Sequence, residues 1–200
     1  IARLDLDGTL DKNFQNGFAS VHEDPVSVVI VQRNDRVFGV GSYGSTLRSY
    51  WNDASEVMFA PGASRRINSI TTRNDGTLIV GGYRHYVSSD WNACEGGVHL
   101  AWIAQLQFDG TRISSFQDGL LTAASSSLTA ASSLHALENC GMAFPTVIST
   151  IDCVASQPDG KVLMGGVFNG IRGGSRNNIA RFNQDGTLDT SFQDNLSGAN

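Results

Sequence analysis

Asp5, Asp7 and Asp11 fall in the string Asp-Leu-Asp-Gly-Thr-Leu-Asp at positions 5–11. Carboxylates at this spacing can support two chemistries. In phosphoryl transfer, Asp5 would attack phosphorus and Asp7 would serve as acid and base. As hard oxygen ligands, Asp5, Asp7 and Asp11 have the spacing of a calcium loop. A third use involves no chemistry at all: aspartate beside glycine can bond its own turn backbone.

The chain tests these readings on itself, because the string recurs. Ile1-Ala-Arg-Leu-Asp-Leu-Asp-Gly-Thr-Leu-Asp-Lys-Asn-Phe14 returns as Ile179-Ala-Arg-Phe-Asn-Gln-Asp-Gly-Thr-Leu-Asp-Thr-Ser-Phe192. A more altered copy runs from Ile103 to Phe116. Gln107 and Asn183 replace Asp5, and neither can be a nucleophile. A nucleophile loop like that of haloacid-dehalogenase-like phosphatases must also follow a buried parallel strand, which reads as a continuous apolar run. Arg3 interrupts that run. Asp11 becomes Ile113 in the middle copy, which removes a calcium ligand, so calcium stays open only at the first and last copies. Asp7, Asp109 and Asp185 persist throughout, as residues that build a turn would.

Outside the repeats, the most distinctive residues lie at 83–102: Tyr83, His85, Tyr86, Asp90, Trp91, Asn92, Glu95, His99 and Trp102. Aromatic rings beside carboxylates and amides can form a sugar platform or a protein-contact patch. They can equally pack over a sheet edge with their polar neighbours in water. His85 and His99 read as packing or surface histidines. Asp90, Glu95 or His99 would be the acid/base groups of the rival reading, an enzyme acting on polysaccharide. No Gly-x-Ser-x-Gly elbow, phosphate loop or His-Glu-x-x-His occurs, and no cofactor is implied.

The elements that position these residues are two kinds of hairpin in alternation. The first kind runs Val26–Tyr43, Ile67–Tyr83 and Ile151–Phe168: a β-branched run, a turn signal and a second apolar run ending in glycine. Such runs are too short and too rich in Val and Ile to favour helix. In Gln157-Pro158-Asp159-Gly160, proline presets the first corner, aspartate suits the second and glycine takes the left-handed position of a type I turn with a G1 bulge. Asn74-Asp75-Gly76 follows the same plan, and Arg36 is expected in the glycine place of the first copy. The second kind is the Ile-Ala-Arg segment, with a degenerate fourth copy at Leu47–Phe59 that keeps Arg48, an Asn-Asp turn and Phe59. Insertions at 84–101 and 117–150 spread the copies apart. The latter duplicates Leu-Thr-Ala-Ala-Ser-Ser at 121–126 and 128–133 and is expected to form one short helix or a loop.

The 200 residues include 22 glycines, with 40% hydrophobic and 16% charged residues, which suits an all-β chain with many turns. A net charge of −5 and only two lysines argue against a nucleic-acid partner. No run approaches the roughly 20 apolar residues of a membrane span. The chain begins at Ile1 and reads as a processed form or part of something longer. Cys94, Cys140 and Cys153 lack metal-site spacing, and a Cys94–Cys140 disulfide is the favoured pairing because both fall in insertions.

Alternating four-stranded units of about 40–50 residues are the signature of β-propeller blades. Gln157–Gly166 and Ile179–Phe192 resemble the delta-sixty repeat family of bacterial propeller-like proteins, and clear motifs cover roughly half the chain. The resemblance implies tandem arrays in secreted or surface proteins, or in phage virions, with no common catalytic residue. The expected fold is all-β: one repeat domain over 1–200, about three and a half blades, part of a larger or shared ring. The expected role is structural and binding, toward a protein or glycan partner or neighbouring copies, with Tyr83, His85, Tyr86, Asp90, Trp91, Glu95 and Trp102 as the contact residues.

Overall fold

A computed structural model describes residues 4–12, 26–32, 36–41, 47–50, 56–59, 65–86, 98–116, 149–168, 170–171 and 174–192. Ten strands are named there: β1 (Val26–Val31), β2 (Val37–Gly41), β3 (Leu47–Tyr50), β4 (Glu56–Phe59), β5 (Arg65–Thr72), β6 (Leu78–Tyr86), β7 (Val98–Leu106), β8 (Thr150–Ser156), β9 (Val162–Val167) and β10 (Ile179–Phe182). They form three antiparallel meanders, β1-β2-β3-β4, β5-β6-β7 and β8-β9-β10. Single bridges Leu106↔Arg112 and Phe182↔Leu188 add a vestigial outer strand to the second and third sheets, and Leu4↔Leu10 closes a lone hairpin of the same kind. Among the described residues there is thus one sheet of four strands, two of three and a lone hairpin, an arrangement consistent with partial blades.

The turn logic holds in detail. Gly8, Gly76, Gly110, Gly160 and Gly186 all adopt φ between 79° and 85°. At each turn the glycine N–H donates three residues back, as in Gly160 to Gln157 O, while Gln157 N–H donates to Lys161 O. That double bond pattern is the type I turn with its bulge. Every sheet also carries a bulge at one repeated place in its first strand, between Val26 and Val28, Ile67 and Ser69, and Ile151 and Cys153. The partner glycine is obligatory there: a Cβ on Gly82 or Gly166 would collide with the carbonyl of Arg66 or Thr150.

The ladders correct two alignments in the first sheet. Gln32 N–H donates to Arg36 O, as Arg73 does to Thr77 O and Gln157 to Lys161 O. Arg36 thus sits where Thr77 and Lys161 sit, not in the glycine place. Likewise Leu47↔Val40 matches Ile103↔Gly81 and Ile179↔Gly165, so Arg48 falls at the alanine position and Ser49 at that of Arg181. The cores explain why these strands are apolar throughout. Alternation sends Leu78, Val80, Trp102, Ala104 and Leu106 into a cluster with Phe38, Leu47, Ile67 and Ile70 of the first and second sheets. Ile79, Ala101 and Ile103 point the other way, into a cluster with Ile151, Val154, Met164, Ala180 and Phe182 of the third. The middle sheet is buried on both faces, which removes the polar/apolar alternation of a one-sided sheet.

Candidate functional site

The acid string of residues 5–11 is a turn. Thr9 donates both its N–H (2.9 Å) and its hydroxyl (2.7 Å) to Asp7 Oδ1. The same pair of bonds joins Thr77 to Asp75, Thr111 to Asp109 and Thr187 to Asp185. These threonine bonds hold Asp7, Asp109 and Asp185 below the usual carboxylate range. At Asp75 burial pushes the other way, but the bonds from Thr77 prevail. Asp5 supplies the turn backbone, donating to Thr9 O and accepting from Gly8 N–H. Among the described residues, no group of three or more His, Cys, Asp or Glu side chains is placed to hold a metal ion.

A charged cluster that the sequence reading passed over lies in the third sheet. Asp189, the counterpart of Asp11, is buried. Its Oδ2 accepts from Lys161 Nζ at 2.7 Å and Arg181 Nε at 2.8 Å. Its Oδ1 accepts from the N–H and hydroxyl of Ser191. Lys161 first, then Ser191 and Arg181, hold the carboxyl far below its ordinary range against the opposing effect of burial. The Phe192 ring lies under Arg181, its centroid 4.6 Å from Cζ. Such a cluster resembles an active site, yet the second sheet contains its neutral equivalent. There Thr77, Gln105 and Ile113 occupy the places of Lys161, Arg181 and Asp189, and Gln105 Nε2 donates to Thr77 Oγ1 at 2.7 Å. Both versions tie a turn to the segment ending in Phe116 or Phe192, so the cluster fastens the sheet. The signal was present in the sequence: the three positions change together between repeats.

The first sheet solves the same place differently. Arg36 is buried, with its Cζ 5.4 Å from the Phe38 ring centroid and 5.3 Å from that of Phe108. Burial lowers its pKa, and Asp109 opposes the change.

The residues at 83–102 are distributed along a lengthened hairpin. β6 and β7 pair over nine rungs, from Leu78↔Leu106 to Tyr86↔Val98, against four between β9 and β10. The flanks of the insertion at 84–101 are therefore ladder, with His85 opposite His99 and Tyr83 opposite Ala101. Trp102 does not offer a contact surface. It is buried in the core beside Ile67 and Ile70, its indole N–H donates to Arg66 O at 3.2 Å, and Arg65 covers its ring at 5.5 Å. Ala101 N–H is likewise taken, by Ser149 Oγ at 2.9 Å. Tyr83 is half-buried, while Asp90, Trp91 and Glu95 lie outside the described residues, as do Cys94, Cys140 and the segment 117–148. Cys153 carries a free, exposed thiol on β8.

No described helix is long and apolar enough to cross a membrane. No curated protein matches the chain. Residues 157–192, which span β9, β10 and the Asp189 cluster, match a family described as a β-propeller domain of unknown function (DUF5122). That match supports a β-propeller-like repeat family, and the three repeated antiparallel sheets, with no helix among the described residues, are consistent with partial propeller blades.

Proposed function

We propose that the chain is a non-catalytic binding module of the delta-sixty kind, in which the stacked blades hold the lengthened β6–β7 hairpin out toward a protein or glycan partner. The observation that carries this reading is the ladder itself. The rungs His85↔His99 and Tyr86↔Val98 lie beyond the last β5 partner, Arg84, so the β6–β7 ladder outruns the rest of its sheet. Extending a rigid ladder to residues 86 and 98 fixes the ends of the intervening segment, which carries Asp90, Trp91 and Glu95. Loops held by a rigid scaffold are where binding residues concentrate. The described turn carboxylates are held ionised, which suits them to construction rather than to proton donation near neutral pH. A secreted, surface or virion setting fits a repeat scaffold with few lysines and a negative net charge.

The test is a glycan array and a surface-protein panel probed with the intact chain, then with Tyr86→Ala and Trp91→Ala. Binding should fall in both variants while melting temperature stays within a few degrees. Unchanged binding by both would refute this placement of the site.

A further inference from the structure

The junction between the second and third sheets is a repeated device whose two halves recur, uncovered by any described residue, on the outer faces of the first and third sheets. At that junction Ile151 and Val154 of β8 press onto the bare backbone of Gly81: a Cβ there would lie 2.7 Å from Ile151 Cγ2 and 2.8 Å from Val154 Cγ1. Side chains of β5 bond the backbone of β8. Asn68 Nδ2 donates to Ile151 O at 2.9 Å, Val154 N–H to Ser69 Oγ at 3.1 Å, and Ser156 N–H to Thr71 Oγ1 at 3.4 Å. At the rim, Arg73 Nη2 donates to Gly160 O at 2.8 Å, as Gln32 Nε2 does to Gly76 O one junction earlier.

In the ladder register, Val29 is the counterpart of Ile70 and Val154, and Val31 that of Thr72 and Ser156. Ile70 and Val154 are 6% and 8% exposed, whereas Val29 is 50% and Val31 58% exposed. On the outer face of the third sheet, Gly165 is the counterpart of Gly81. Among the described residues no neighbouring sheet approaches it: a Cβ there would meet Cys153 Sγ at 2.8 Å and Asn178 O at 3.8 Å. Cys153 and Ala155, which stand in the places of Ser69 and Thr71, are exposed. Gln157, which stands in the place of the rim donors Gln32 and Arg73, has a buried Oε1 without a hydrogen-bond partner.

We infer that these two faces are complementary and that a second copy of the chain docks head to tail, with Val29 of one copy seated on Gly165 of the other. The contact continues the interface already present between the second and third sheets. Two bonds are lost at the new junction and a third is weakened. Ala155, in the place of Thr71, has no hydroxyl to accept an N–H, and the Cys153 thiol is a poorer acceptor than the Ser69 hydroxyl. Asp152 replaces Asn68 and cannot donate to a carbonyl; it instead accepts from the Thr150 hydroxyl at 2.9 Å. The association is therefore weaker than the internal junction and reversible. A head-to-tail contact is heterologous, so it is blocked by damaging either face and recovered by mixing two chains damaged on different faces.

The experiment is sedimentation velocity on the reduced chain across a concentration series, with Val31→Asp, Ala155→Arg and an equimolar mixture of the two variants. Both sites are exposed, so each variant should melt as the wild type does. The wild type should show mass in multiples of 21.4 kDa at high concentration. Each variant alone should dissociate at least about tenfold more readily, and the mixture should recover a dimer through its one undamaged junction. A wild type that remains monomeric up to its solubility limit overturns the inference, as do variants that associate like the wild type or a mixture that stays monomeric.

Discussion

Gly81→Ala adds one methyl group at the junction of the second and third sheets, and its cost can be worked from the neighbours it meets. The new carbon falls 2.7 Å from Ile151 Cγ2 and 2.8 Å from Val154 Cγ1. Both belong to buried, β-branched side chains with few alternative rotamers. Overpacking of this kind costs about 1–3 kcal/mol, offset by about 0.4–1 kcal/mol from the lower entropy of the unfolded chain. For a chain of this length each kcal/mol moves the melting temperature by roughly 2–4 °C, so Gly81→Ala should melt a few degrees low. Gly165→Ala is the control at the equivalent place. Its methyl meets the thiol of exposed Cys153, which can rotate away, so its stability should stay within about 0.5 kcal/mol of wild type. Val154→Ala should relieve part of the Gly81→Ala loss, making the double mutant less unstable than the sum of the singles. Urea titrations of the wild type and the four variants at a concentration low enough to keep the chain monomeric measure this. Equal losses at Gly81 and Gly165 would refute the assignment of the junction.

Other consequences follow from the same geometry. Trp102→Ala should cost about 3–5 kcal/mol in urea unfolding, while Tyr86→Ala should leave unfolding nearly unchanged, which separates the core tryptophan from the arm. Ile113→Asp should destabilise the second sheet by placing a half-buried carboxylate beside neutral Gln105 and Thr77. Adding Gln105→Arg and Thr77→Lys should recover most of the loss, and a double-mutant cycle in chemical denaturation reads the coupling. Acid titration followed by circular dichroism should show a loss of stability beginning near the unfolded carboxylate pKa of about 4. Asp189 and the turn aspartates have folded pKa values below that, so their stabilisation is complete above it and disappears as pH falls toward the folded values. Asp189→Asn should flatten that acid limb.

The turns were legible because their physics is local. Aspartate two residues before threonine and glycine in the left-handed place are fixed within five residues, and the bonds around Gly76, Gly160 and Gly186 repeat that arrangement. The register of the first sheet was not legible by the same route. Asn34-Asp35-Arg36 looks like Asn74-Asp75-Gly76, but alignment is decided by the bond from Gln32 N–H to Arg36 O, which only the paired strands display. Trp102 was misread for a related reason. Beside histidines and acids in sequence it looks like a contact residue, and its burial comes from Ile67 and Ile70, more than thirty positions away. Asp189 could have been found by comparing Lys161, Arg181 and Asp189 with Thr77, Gln105 and Ile113.

That comparison also decides where function should be sought. A residue that recurs with each sheet is explained when its counterpart does the same mechanical work, and Asp7, Asp75, Asp109 and Asp185 each cap a threonine. A charged cluster whose counterpart is neutral yet fills the same place is likewise mechanical, so perturbed ionisation at Asp189 does not mark a catalytic centre. Neither argument covers the last rungs of β6 and β7. Among the described residues the β9–β10 ladder has no such rungs. Structure that is built without serving the repeat needs a different cause, and binding by the segment between residues 86 and 98 supplies one that Tyr86→Ala and Trp91→Ala can refute.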